Sequence, residues 1–177
     1  LSVLPSSHPL NVGMLGMHGS LGANKKTQEC DLLIAVGMRF DDRITGKLST
    51  YATQAKKIHF DIDPSEINKN VNVDVAVLGD CKETLAAVTA LLEKKEHTEW
   101  RESFRQYDEQ ESRIVIEPQI HPTSGPLRMG EVVRRVTELT ADKAVLVTDV
   151  GQNQMMAARY FRFSQKRSII TSGGMGT

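Results

Sequence analysis

The run DLLIAVGMRFDDR, residues 31–43, decides how this sequence is read. Its first part, residues 31–37, is a compact apolar run closed by glycine, the pattern of a strand buried on both faces of a parallel sheet. Directly behind it come Arg39, Asp41, Asp42 and Arg43. They fall at the carboxyl end of the strand, where open α/β sheets bind their ligands. Guanidinium presents a planar fork of donors and carboxylate accepts hydroxyls, so this cluster suits a diphosphate and a ribose. A surface salt-bridge cluster is the plainer alternative.

Working downstream, residues 57–62 (KIHFDI) and 73–78 (VDVAVL) repeat the strand pattern. Asp61 ends the second strand where such folds grip a ribose hydroxyl. Asp63-Pro64 behind it reads as the start of a turn. Gly79-Asp80 repeats the device after the third strand, with Asp80 equally suited to cap a helix over residues 82–92 whose apolar face is Leu85, Val88, Leu91 and Leu92. Upstream, Gly13, Gly16, Gly19 and Gly22 recur at every third position before a short helix over residues 23–30. The spacing is not the GxGxxG fingerprint, so it supports either phosphate binding or a structural loop. His18 in that loop contacts a ligand or satisfies a loop carbonyl, and the residues alone favour the second. With no nucleophile elbow or paired base here, the first unit reads as nucleotide binding without chemistry.

Residues 94–112 are dense in charge, with Trp100 and Phe104 as the apolar anchors, and read as an exposed helix or connector. Residues 117–126 hold Pro118, Pro122, Gly125 and Pro126, a composition that sustains neither a helix nor a central strand. A second α/β unit then begins: an amphipathic helix on Met129, Val132, Val133, Val136 and Leu139, a strand over residues 144–148, a turn over 149–153, a helix over 154–160 and a strand over 168–171. The expected division is a parallel-sheet, Rossmann-like middle domain over 1–93, a connector over 94–126, and the start of a second α/β domain over 127–177.

Bulk properties narrow the classes. The 177 residues are 40% hydrophobic and 25% charged, with 22 basic residues against 22 acidic ones. No net field draws such a chain to nucleic acid or an anionic membrane. No apolar run approaches the roughly 20 residues of a membrane span, and the start lacks a signal peptide, so a cytoplasmic setting is expected. Cys30 and Cys81 lie outside any metal-ligand spacing and read as two buried thiols. The missing initiator Met and the glycine-rich ending predict an internal piece of a longer protein.

Leu15 to Gly19, the GMRFDDR run, HFDIDP with Ile67-Asn68-Lys69, and TDVGQ with the closing TSGGMG together resemble, in order, the acetolactate synthase large-subunit family. The resemblance implies three α/β domains, of which the middle one holds FAD and the last holds thiamine diphosphate with Mg²⁺. It implies condensation of pyruvate with a second pyruvate or with 2-oxobutyrate on the route to isoleucine, valine and leucine, the flavin taking no net redox part. It also implies a homodimer or larger assembly and a small regulatory subunit. Carried over by position, it assigns flavin contacts to His18, Gly19, Gly37, Arg39, Asp41, Arg43, Asp61, Ile62 and Asp80. Val150, Gly151, Gln152, Asn153 and Gly176 are assigned to the thiamine diphosphate pocket, and Met17 and Asp42 to a channel. Asn153 replaces a His found in many relatives, which keeps a donor but removes a titratable group. The activating glutamate and the metal motif of the family fall outside these residues, so the piece alone is expected to be inactive. Two other readings stand: a thiamine-dependent decarboxylase with ADP or nothing in the middle domain, and a non-catalytic dinucleotide-binding module.

Overall fold

A computed structural model describes residues 2–172. In chain order it holds α1 (Leu21–Thr27), β1 (Leu32–Val36), α2 (Asp42–Thr45), β2 (Lys56–Asp61), β3 (Val75–Leu78) and α3 (Cys81–Thr89). Then come α4 (Thr98–Glu102), α5 (Arg105–Glu111), α6 (Glu117–Ile120), α7 (Met129–Leu139), β4 (Leu146–Thr148), α8 (Gln152–Tyr160) and β5 (Ile169–Thr171). The architecture is α/β with parallel sheets, as expected. Two compact units divide the chain, Asn24–Trp100 forming one and Leu1–Ala23 with Arg101–Thr177 the other. None of the described helices is long and apolar enough to cross a membrane.

In the Asn24–Trp100 unit the strands pair in parallel in the order β1-β2-β3. Val36 stands beside Phe60, and Phe60 beside Val77, so all three strands finish at one edge. Beneath the sheet lies a core of Cys30, Ala35, Phe40, Tyr51, Ala52, Ala55 and Val71. Of the two thiols expected to be buried only Cys30 is; Cys81, in the first turn of α3, is exposed. Burial of a side chain as large as Phe40 contributes on the order of 1.5–3 kcal/mol. The expectation of strands buried on both faces fails at β1, where Ala35 is 3% exposed but Ile34 is 52% and Val36 42% exposed, and holds at the end of β2, where His59 and Phe60 are both buried. Side chains alternate across a strand; the core cluster lies on the Ala35 side, and on the other side Phe60 is buried while Ile34 and Val36 are not.

Asp80 does cap α3, its Oδ1 accepting from the Lys82 N–H at 2.8 Å. The helix stops at Thr89, earlier than its apolar period suggests, and Leu91 and Leu92 lie exposed beyond it.

The other unit pairs β4 with β5 in parallel, Thr148 beside Thr171. Its start is fastened to its end: Ser2 Oγ accepts from the Ile169 N–H and Ser6 Oγ from the Phe163 N–H. Two expectations fail here. Residues 117–120 are helical despite Pro118, continuing without a break from residues 105–116, with Ser112, Ile116 and Glu117 all in the αR region. A π-helical turn over Ser112–Ile116 precedes it, widening the helix where the proline ring would crowd the carbonyl four residues back. The α7 helix has the expected bounds, but Val132, Val136 and Leu139 on its apolar stripe are exposed. Its buried positions are Gly130 and Thr137. A Cβ on Gly130 would stand 3.1 Å from the Gln119 carbonyl, so close backbone approach, not the stripe, sets the packing face.

Candidate cofactor-binding sites

The shared strand edge gathers most of the flavin contacts expected from sequence. Gly37 follows β1 and its N–H donates to the Phe60 carbonyl at 2.8 Å, while the Gly79 N–H donates to the Asp61 carbonyl at 2.9 Å. Gly37, Asp61 with Ile62, and Asp80 therefore lie at the ends of three adjacent strands. Gly37 has φ +59, and a Cβ there would meet nothing within 4 Å. The backbone needs glycine at that point, and the space beside it is open.

Arg39 and Asp41 form an exposed ion pair at 3.0 Å. Such pairs contribute about 0–1 kcal/mol, so exchanging this one for contacts with a ligand costs little. Asp41 stands at the N-cap of α2, yet its side chain makes no capping bond. Arg43 is exposed and has no ion pair among the described residues. Two guanidiniums at this edge suit a diphosphate, so the residues present fit a dinucleotide cofactor.

Asp61 is only 9% exposed. Its Oδ1 accepts from the Asp63 N–H at 2.9 Å, and its Oδ2 stands 3.4 Å from Nε2 of the fully buried His59. That approach lacks hydrogen-bond geometry, and neither ring nitrogen of His59 has a hydrogen-bond partner among the described residues. Asp63 is structural: it caps a 3-10 turn over Pro64–Glu66, and the bond from the Ser65 N–H holds its carboxyl below the usual range. Ile62 is 69% exposed, an apolar surface open at the edge.

His18 and Gly19 belong to the other compact unit. His18 is half-buried and hydrogen-bonds to no described residue, so the loop-carbonyl role favoured by the residues alone does not hold. Gly19 is demanded by its own turn. A Cβ there would lie 2.1 Å from the Met14 carbonyl oxygen and 2.6 Å from the Leu15 carbonyl carbon. We expect Gly19→Ala to force open the turn that bonds Gly19 N–H to Gly16 and Ser20 N–H to Met14. The cost should be about 2–3 kcal/mol, read as a lowered urea midpoint. An unchanged midpoint would contradict the turn requirement.

Two residues that organise this loop gave no sequence signal as site residues. Glu111 Oε2 accepts from the Leu21 N–H at the start of α1, and its Oε1 pairs with Arg159. Arg159 also donates from Nη1 to the Gly19 carbonyl at 3.0 Å. Glu111 sits in a charged stretch that reads as solvated, so its burial was not legible locally. A cavity of about 460 Å³ nearby is lined by Arg134 and Arg159 among others. None of the expected site residues lines it, and both arginines are committed, Arg134 to Glu138 and Arg159 to Glu111.

At the ends of β4 and β5 stand Asp149, Val150 and Gly151, with Gln152 and Asn153 already in the first turn of α8 instead of the preceding turn. Gly151 has φ +126 and open space where a Cβ would lie. Val150, Gly151, Gln152 and Asn153 are all exposed. Behind them Thr148 Oγ1 donates to Thr171 Oγ1 at 3.0 Å and Gln154 Nε2 to the same oxygen at 2.5 Å, tying the two strand ends together. Gly176 lies outside the described residues.

Residues 1–88 match the family described as "Thiamine pyrophosphate enzyme, central domain". The chain is similar along its length to acetolactate synthase large subunits. It is 42% identical to the probable acetolactate synthase large subunit of Methanocaldococcus jannaschii, covering 98% of this chain and 30% of that protein. The corresponding figures are 46%, 95% and 27% for the acetolactate synthase large subunit of Parasynechococcus marenigrum. For that of Haemophilus influenzae they are 39%, 100% and 31%. The chain thus spans under a third of the length of these relatives.

Proposed function

We propose that this chain is the flavin-binding central part of an acetolactate synthase large subunit, running to about residue 93, a connector, and the opening of its thiamine diphosphate domain from about residue 127. The observation that carries the flavin reading is the shared edge of β1, β2 and β3, where Gly37, Asp61 and Asp80 follow adjacent strand ends and Arg39 and Arg43 lie in the segment that leaves β1. Arg39 and Arg43 would bind the FAD diphosphate, and Asp61 a ribose hydroxyl. Gly37 leaves room for the cofactor against the backbone. Val150, Gly151, Gln152 and Asn153 would lie against thiamine diphosphate, which supplies the carbanion chemistry when bound with Mg²⁺. The whole protein would decarboxylate pyruvate and join the two-carbon unit to pyruvate or 2-oxobutyrate. It would work in the cytoplasm as a dimer or larger assembly with a small regulatory subunit.

Titrating the chain with FAD, ADP and NAD tests the middle site. FAD binding tighter than ADP or NAD supports the reading; a preference for NAD, or no FAD uptake, overturns it. Asp61→Asn keeps the shape and the bond from Asp63 but weakens the acceptor, so FAD affinity should fall about ten-fold. The activity is tested on the protein as its host makes it, supplied with thiamine diphosphate and Mg²⁺. It should be yellow and form acetolactate from pyruvate. Release of ADP without flavin on denaturation would favour the decarboxylase alternative instead.

A further inference from the structure

Phe40, at the centre of the RFDDR run, is held in a conformation that bulky residues rarely adopt. Its φ is +53, and no glycine is there to relieve it. Its ring is anchored below, edge-on to Tyr51 at 6.2 Å and to His59 at 5.1 Å between centroids. On the backbone side, Asn70 Nδ2 donates to the carbonyls of both Arg39 and Phe40, each at 3.3 Å. One amide therefore grips the strained residue on both of its peptides, from a segment that follows a different strand.

That segment is itself fixed. Asn68, at φ +58, closes a turn by accepting from the Val73 N–H at 2.8 Å, and Lys69 pairs with Glu66 at 2.7 Å. Val71, next to Asn70, is buried in the core. Asn70 is exposed, so its side chain is not there to fill space. We infer that Asn70 is a positioning residue: its side-chain amide clasps the strained Arg39–Phe40 backbone and so sets the direction in which Arg39 and Asp41 present their charges to the cofactor.

The cofactor half of this inference rests on the flavin reading above; the clasp itself does not. Asn70→Ala removes the amide, and Asn70→Asp keeps the shape but cannot donate. Hydrogen exchange is followed at the amides of Ile44, Thr45 and Gly46, which bond back to Asp41 and Asp42 in α2. Both variants should exchange there about ten-fold faster, with the β1–β2 ladder unchanged, and bind FAD about ten-fold more weakly. Exchange within two-fold of the parent chain overturns the clasp, and faster exchange with undiminished FAD affinity overturns the positioning role. Protection lost equally at every amide would mean a general stability role and also overturns it. If the parent chain takes up no FAD, the flavin reading fails, and exchange alone decides whether the backbone is clasped.

Discussion

Replacing Phe40 with alanine should cost the Asn24–Trp100 unit about 3–5 kcal/mol, the range for truncating a buried aromatic. Phe40 is 2% exposed and contacts both Tyr51 and His59 edge-on, so little of the space it leaves can be reached by solvent. The backbone adds a second expectation. At φ +53 an alanine keeps the strain while a glycine relieves it, so Phe40→Gly should be no less stable than Phe40→Ala although it removes one more carbon. Urea unfolding followed by Trp100 fluorescence measures both. A loss under about 1.5 kcal/mol for alanine would mean that the site collapses freely, contrary to a close-packed core.

Loss of Arg159 should have the next largest effect. Its guanidinium joins the Glu111 carboxylate on α5 to the Gly19 carbonyl in the glycine loop. Glu111 is 10% exposed and Arg159 21%, so removing the arginine leaves a carboxylate largely away from water. Breaking such a pair costs about 3–5 kcal/mol, and the partial exposure of Arg159 places this case near about 3 kcal/mol. Arg159→Met keeps the apolar stem and isolates the charge. The double variant with Glu111→Gln should recover part of the loss, because it removes the unpaired charge as well. Urea unfolding followed by circular dichroism gives these values. If Arg159→Met costs under about 1 kcal/mol, the pair behaves as a surface contact.

The Arg159 pair also marks a limit on reading sequence. Leu21 and Glu111, which meet through a single hydrogen bond, are 90 residues apart, and nothing near either one announces the other. Asn70 belongs to the same kind: a polar residue in a turn, distinguished only by where the chain brings Arg39 and Phe40. Conversely, Asp80 as a cap was legible because a capping carboxylate bonds an N–H two residues away. Pro118 misled because a π turn one step earlier lets a continuing helix accept the proline ring, and composition does not reveal that turn.

What the sequence determined by itself was the parallel α/β class and the placement of Gly37, Asp61 and Asp80 at strand ends. Those follow from short apolar runs closed by glycine and aspartate, a signal carried entirely by neighbouring residues. Only the tertiary structure decided that Ile34 and Val36 of β1 and the α7 stripe stay uncovered, that Phe40 is strained, and that Glu111 with Arg159 and Asn70 hold the two loops. Each depends on which distant segments the chain path brings together, and a one-dimensional pattern records the periodicity of an element but not its partner.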